Sequence, residues 1–454
     1  MSTRRIFLYQ AGLALPALGA KAVRPNLLLL FPDQFRYDWT GANREISVRT
    51  PNLDSLARRG VRFTRAVVAS PLCAPSRACL ASGREYERCG VANNGQDYPA
   101  GAATYYRMLR DHGYHVAGCG KLDLHKKTEF WGLDGKERLN EWGFSDGIDN
   151  AGKRDAIHSG AVTPKDPYMA YLHEKGLAAT HVEDFKRRKD YSATFPTPLP
   201  EEAYCDNWLA NNGLELMRRF PRNKPWHLAV NFTGPHEPVD ITRRMEKLAR
   251  GVPFPQPNRN TQFPPDVHVA VRQNYSAMIE NIDRWVGLYL DELQKRGELE
   301  NTLIVFSSDH GEMLGDHNRW GKSVPYQQSV GVPLTIAGPG VRKGVTTDAL
   351  VSILDLTATF LDYAGIPAPK DMDSRSLRDL LENRTRSHRG YVFSGLNSWR
   401  MVWDGRYKLI TGFNEQSPML FDHDRDPLEN DNVAANEQKQ VSRLTALLQA
   451  RSRA

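Results

Sequence analysis

The residues best equipped for chemistry lie at a few separated places along the chain. Cys73-Ala74-Pro75-Ser76-Arg77 sets a thiol two residues before a proline and four before an arginine. Asp33-Gln34 follows the apolar run Leu27-Leu28-Leu29-Leu30-Phe31, and Asp309-His310-Gly311 follows Leu303-Ile304-Val305-Phe306. Gly120-Lys121, Gly234-Pro235-His236-Glu237-Pro238 and Gly321-Lys322 supply cations and an imidazole just past further apolar segments. Taken singly, each has a plainer reading. Cys73 suits a buried thiol at a helix start, each Asp a strand-end turn, and each Lys or His a solvated or structural position. Their shared place beyond strand ends is what joins them. Loops at the carboxyl edge of a parallel sheet converge, and ligands bind there.

The elements that must do the positioning are legible. Short apolar runs at 25–31, 61–68, 114–119, 226–232, 303–306 and 333–337 read as buried strands. Thr50-Pro51 opens a helix closed by Gly60, and 103–112 is a second helix stopped at Gly113. Tyr275, Met278, Ile279, Ile282, Val286, Tyr289 and Leu293 line one face of a helix over 265–296, and 353–363 is another. Strands alternating with helices predict an α/β fold, a large mostly parallel sheet sandwiched by helices, over residues 23–370. Residues 122–225 carry many charges and few apolar runs, and read as excursions around the site rather than sheet. Residues 371–454 change character. Short strands at 391–394, 399–403, 407–411 and 419–421, with Asp404-Gly405 as a turn, precede an amphipathic helix from 436. This predicts a small C-terminal antiparallel-sheet subdomain plus a terminal helix.

Composition narrows the classes. The chain has 454 residues, with 60 Lys plus Arg against 53 Asp plus Glu, a net charge of +7. The excess suits an anionic ligand, and no compact basic stripe with interleaved aromatics argues for nucleic acid. No apolar run reaches the roughly 20 residues that cross a bilayer. Arg4-Arg5, the apolar stretch over 11–18 and Ala20-Lys21-Ala22 form a twin-arginine-type signal with an A-x-A cleavage pattern, so residues 1–22 are set apart from the fold. The expectation is an exported protein, periplasmic or extracellular. Five cysteines, an odd count without framework spacing, are expected to be mostly free and buried.

The Cys73 pentapeptide and its continuation to Gly83-Arg84 resemble the type I sulfatases of the alkaline phosphatase-like superfamily. The resemblance covers nearly the whole mature chain. It implies that a formylglycine-generating enzyme oxidises Cys73 to formylglycine, whose hydrated aldehyde is the nucleophile. It implies one divalent metal, calcium, held by Asp33, Gln34, Asp309, His310 and the residue-73 oxygen. Oxygen donors suit a hard cation, and His310 adds a less usual nitrogen. It further implies that Arg77, Lys121, His236 and Lys322 hold the substrate anion, an ester of sulfate, with a sulfated carbohydrate as the chosen class.

Two departures from the family pattern bear on function. Gln34 stands where a second Asp is commoner, and resembles the phosphonate monoester hydrolase and choline sulfatase branches. A phosphonate monoester or phosphodiester is therefore the alternative substrate. After Lys121 the family's His position holds Asp123, leaving Asp123 or a shifted His125 to fill the role; His125 is the residue selected here. A third reading, from another class, is a non-catalytic sulfated-glycan-binding protein whose Cys73 is never matured. The substrate lid is expected within 122–225, with Trp131, Arg154, His158 and Tyr168 as contacts; Arg243 and Arg244 read as a solvated face.

Overall fold

The computed structural model describes residues 24–414 and 418–452; the signal-type residues 1–22 lie outside them. Nine strands build the α/β unit apart from a later two-residue one: β1 (Asn26–Leu30), β2 (Gly60–Phe63), β3 (Ala66–Val67), β4 (His115–Gly120), β5 (Asp146–Asp149), β6 (Trp226–Asn231), β7 (Thr302–Phe306), β8 (Leu334–Ala337) and β9 (Val345–Thr347). Eight form one sheet in the order β5-β4-β6-β1-β7-β8-β2-β9. All neighbouring pairs are parallel except those of β8, which runs against both β7 and β2. β10 (Val351–Ser352) pairs only with β3. The expected strand over 61–68 thus divides between two sheets.

β1 is central because nothing in it requires water. Leu27 to Leu30 are at most 1% exposed, and they alternate between the two apolar clusters on opposite faces of the sheet. Helix Pro265–Lys295 covers one face with Ile279, Ile282, Val286 and Tyr289. Helices Cys73–Ser82 and Asp355–Tyr363 pack on the other. Helix Pro51–Arg59 begins after Thr50 as expected, but the Thr50 hydroxyl does not cap it. The Asp283 carboxylate of the long helix accepts instead, from the Asn52 and Leu53 amides at 3.2 and 2.8 Å. A cap from a partner helix satisfies the same orphan donors and ties two elements together.

One expectation is corrected. Residues 122–225 are not merely excursions. They contribute edge strand β5 and helix Cys205–Arg218, whose Leu209, Leu214 and Met217 cover the sheet. Much of the remainder is a satellite cluster in which Trp131 and Tyr168 are 1% and 0% exposed. Neither can be the substrate contact expected of it.

β11 (Val392–Leu396), β12 (Trp399–Trp403), β13 (Tyr407–Thr411) and β14 (Met419–Asp422) form a four-stranded antiparallel sheet, covered by helix Gln438–Ser452. A buried ion pair within the subdomain also accepts a hydrogen bond from the larger unit. Lys408 Nζ donates to Glu429 Oε1 at 2.6 Å, and both side chains are inaccessible. Glu429 also accepts from His423 at 2.8 Å and from the Gln327 amide at 2.8 Å. Burial alone would raise the Glu429 carboxyl, but Lys408 and His423 hold it down at about 2. A carboxyl depressed in the folded state stabilises above its ordinary pKa, and that stability fades as pH falls toward 2. Burial pushes the Lys408 ammonium down despite Glu429, so the pair stabilises by less than the Glu429 shift alone implies. Glu429→Gln, which leaves Lys408 buried without its counter-charge, should lower unfolding free energy by about 3–5 kcal/mol at pH 7. The deficit should shrink below pH 4 in denaturant titrations.

Candidate active site

Four neighbouring parallel strands deliver the site. β4 leads to Lys121, β6 leads to His236, β1 leads to Asp33-Gln34 and β7 leads to Asp309-His310. The first turn of helix Cys73–Ser82 brings Cys73 to the same edge. Asp33, Cys73, Asp309 and His310 are all fully buried, and one donor atom of each lies within 4.8 Å of the others. Cys73 Sγ is 3.3 Å from His310 Nε2 and 3.8 Å from Asp33 Oδ1. His310 Nε2 is 3.5 Å from Asp33 and 3.7 Å from Asp309. Its Nδ1 donates to the Gly311 carbonyl at 3.0 Å, which leaves the Nε2 lone pair facing the cluster.

The electrostatics of this cluster favour a cation. Burial and the adjacent Asp33 push the Asp309 carboxyl up. Burial works against His310⁺, yet Asp309 and Cys73 raise its pKa, so a proton is drawn to the place where ligand atoms converge. Asp33 would also rise on burial, but Lys121, His236, Lys322 and His310 hold it well below the usual carboxylate range. Burial and Asp33 oppose a Cys73 thiolate; Lys121, Lys322 and His310 outweigh them and lower its pKa well below that of a free thiol. Two carboxylates, an imidazole with its lone pair inward and a thiol position in one buried group fit a divalent ion.

Arg77 lies behind the carboxylates rather than before the cavity. Its Nε donates to Asp309 Oδ2 at 2.9 Å, Nη2 to Asp33 Oδ2 at 3.4 Å, and Nη1 to Asn231 Oδ1 at 2.8 Å and the Lys121 carbonyl at 2.5 Å. Four of the five guanidinium N–H groups are thereby occupied. The expectation that Arg77 grips substrate oxygens is corrected: it fixes the two carboxylates and the end of β4. Lys121 Nζ bridges Asp33 and Asp123, the latter at 2.6 Å.

Gln34 adopts a left-handed backbone at φ 68°, with its carbonyl held by Tyr275 OH at 2.6 Å. Its amide N–H donates to Asp309 Oδ1 at 3.0 Å. In the side chain, Oε1 accepts from Lys322 Nζ at 2.6 Å, while Nε2 donates to Glu237 at 2.8 Å and to Glu312. Lys322 Nζ also reaches His236 Nε2, and His236 Nδ1 donates to the Glu237 carbonyl at 2.6 Å. The His236 loop is anchored by Asp206, which accepts from the Thr233 and Gly234 amides at 2.7 and 2.9 Å.

Cys73, Lys121, His236 and Lys322 line one cavity of about 190 Å³, together with Lys126, Lys153 and Arg154. His125 does not line it. Its Nε2 pairs with Asp149 at 2.8 Å, and its ring packs between Trp142 and Trp131. Selection of His125 as a site residue is therefore corrected: two tryptophans and a buried carboxylate claim it for the core. Of the four lid contacts named from sequence, Arg154 alone reaches the cavity; exposed His158 stacks edge-on with Phe185. Arg243 and Arg244 are exposed at the start of a separate helix. Sequence reasoning missed Lys126 and Lys153. The signal for Lys126 was its place one residue past His125, and Lys153 carried none. All five cysteines are buried and none is in a disulfide. Among the described residues, no helix is long and apolar enough to cross a membrane.

Family models of known proteins match most of the chain. The sulfatase family model matches residues 25–366, and that of the N-sulphoglucosamine sulphohydrolase C-terminal region matches 315–453. An arylsulfatase of Clostridium perfringens (strain 13 / Type A) is 27% identical over 453 residues, spanning 92% of this chain and 91% of its own. An N-acetylglucosamine-6-O-sulfatase of Bacteroides thetaiotaomicron is 24% identical over 480 residues, spanning 93% and 85%. A phosphonate monoester hydrolase from Silicibacter pomeroyi shares the fold, with a TM-score of 0.80 at 23% identity over 94% of this chain and 95% of its own. The family pattern runs from β1 to just beyond helix Asp355–Tyr363, and the chain belongs to the sulfatase family, as a type I sulfuric ester hydrolase of the alkaline phosphatase-like superfamily.

Proposed function

We propose that this sulfatase cleaves a sulfate monoester on a carbohydrate, using residue 73 as formylglycine and one bound calcium ion. The observation that carries the reading is the meeting of Cys73, two buried carboxylates and His310 at the floor of a cavity walled by Lys121, Lys322 and His236. Asp33, Gln34, Asp309, His310 and the residue-73 oxygen would hold the ion, which supplies Lewis-acid polarisation of the ester. Formylglycine, made by a dedicated maturation enzyme, supplies a hydrated aldehyde as nucleophile. The choice of a carbohydrate is supported by the printed activity of the Bacteroides relative.

The chain's own residues then have separate tasks. Arg77 keeps the Asp33 and Asp309 carboxylates turned toward the ion site. Lys121, pinned between Asp33 and Asp123, presents its remaining N–H to an ester oxygen. Lys322 and His236 form the other wall, bind a second oxygen and hold the proton that the departing alcohol oxygen needs, at Nζ or Nε2. Preorganised cations in a buried site stabilise charge on the transferring group at little reorganisation cost.

Gln34 favours a second reading, a phosphonate monoester or phosphodiester. As a neutral amide it leaves Asp33 and Asp309 as the carboxylates facing the ion, so more of the ion's charge remains for the substrate. Rates on phenyl sulfate and phenyl phenylphosphonate, side by side, separate the two. Export by a twin-arginine-type route belongs to the same proposal and rests on residues 1–22 of the sequence.

Two measurements test the reading. Peptide mass spectrometry of protein from a host with the maturation enzyme should find residue 73 as the aldehyde, and Cys73→Ala should abolish release of sulfate. An unmodified thiol with no ester hydrolysis would favour the sulfated-glycan-binding alternative. Calcium at a hundredfold its dissociation constant should add about 3 kcal/mol to stability. Chelator should remove this gain, read as the melting temperature, and Asp309→Asn should show none of it.

A further inference from the structure

His125 and Lys126 are neighbours with opposite fates. The imidazole is 1% exposed, paired with Asp149 and held between two tryptophans. The ammonium that follows turns into the cavity that Cys73, Lys121 and Lys322 line. The turn is set by Asp123, whose backbone is left-handed at φ 52°. Asp123 Oδ2 accepts from Lys121 Nζ at 2.6 Å and from Lys126 Nζ at 3.0 Å, so one carboxylate oxygen gathers two ammonium groups. Its other oxygen is buried without a partner. Asp155, a quarter exposed, holds Lys126 Nζ from the mouth side at 2.7 Å. A line of alternating charge therefore runs from Asp33 through Lys121, Asp123 and Lys126 to Asp155. An ammonium has three N–H donors, and two acceptors leave one for a ligand.

We propose that Lys126, and not His125, is a further substrate-contacting residue of this cavity, donating to an oxygen of the bound sulfate ester beside Lys121. The proposal deepens the reading above and rests on it for the identity of the ester. Burial disfavours the ammonium form of Lys126, but Asp123, joined by Cys73 and Asp155, outweighs this and its pKa lies above the ordinary lysine value. Lys126 is thus a fixed positive donor. It binds and stabilises negative charge and takes no proton from the substrate.

The experiment compares Lys126→Met, Lys126→Arg and His125→Gln in matured protein. Two readouts are used: kcat/KM on phenyl sulfate, and the affinity for inorganic sulfate by titration calorimetry. Lys126→Met should lower kcat/KM by about 10²-fold, the scale for losing one preorganised donor to the reacting group. It should also weaken sulfate binding about tenfold, and Lys126→Arg should recover most of both losses. His125→Gln should leave both within about threefold, with its effect confined to the melting temperature. Lys126→Met with near wild-type kcat/KM and sulfate affinity, or a collapse of both in His125→Gln with melting temperature unchanged, would overturn the proposal. Sulfate binding needs no turnover. If the matured wild type cleaves no ester, the reading of function fails, while the calorimetric comparison still decides for or against Lys126.

Discussion

Two carboxylates facing each other out of water are the constraint around which the site is built. Asp33 and Asp309 arrive from adjacent parallel strands, fully buried, with His310 Nε2 within 3.5–3.7 Å of both. Like charges so placed oppose ionisation, and burial deepens the penalty. Arg77 supplies one permanent charge from behind, spanning both acids, and Lys121 supplies another to Asp33. The remaining demand is on the cavity side, where the divalent ion of the proposed function would complete the balance. Removal of any one charge changes the ionisation of the others.

The sheet explains why these groups meet. β4, β6, β1 and β7 are consecutive and parallel, so four chain segments far apart in sequence end at one edge. The cations are then sorted by their partners. Arg77 and Lys121 are locked onto acids at the floor, Lys322 is paired with His236 and Gln34, and Lys126 and Arg154 stand toward the mouth. Arg154 is half exposed, with one loose contact to Glu237 at 3.9 Å.

What the sequence told of this follows the physics of each segment. β1, β6 and β7 are short runs buried on both faces, so composition alone marks them, and the Asp, His and Lys residues at their ends are found with them. The pattern is weaker where burial is partial. β5 is four residues containing two aspartates and Gly147, and it escaped notice as an edge strand. The antiparallel direction of β8 is set by its neighbours and by nothing in Leu334 to Ala337. Side-chain direction is the least legible property. His125 and Lys126 differ by one position, and the left-handed Asp123 and the slot between Trp131 and Trp142 decide which of them faces the cavity. Trp131 and Tyr168 likewise looked like lid aromatics, yet they bury a satellite core.

The most direct test of this account is a crystal structure of the matured, calcium-bound protein, with anomalous scattering to locate the metal. The account predicts one ion with oxygens of Asp33, Asp309 and residue 73 at about 2.3–2.6 Å, and residue 73 as an aldehyde or its hydrate. A metal bound elsewhere at saturating calcium, or a residue 73 turned away from Asp33 and Asp309, would contradict it.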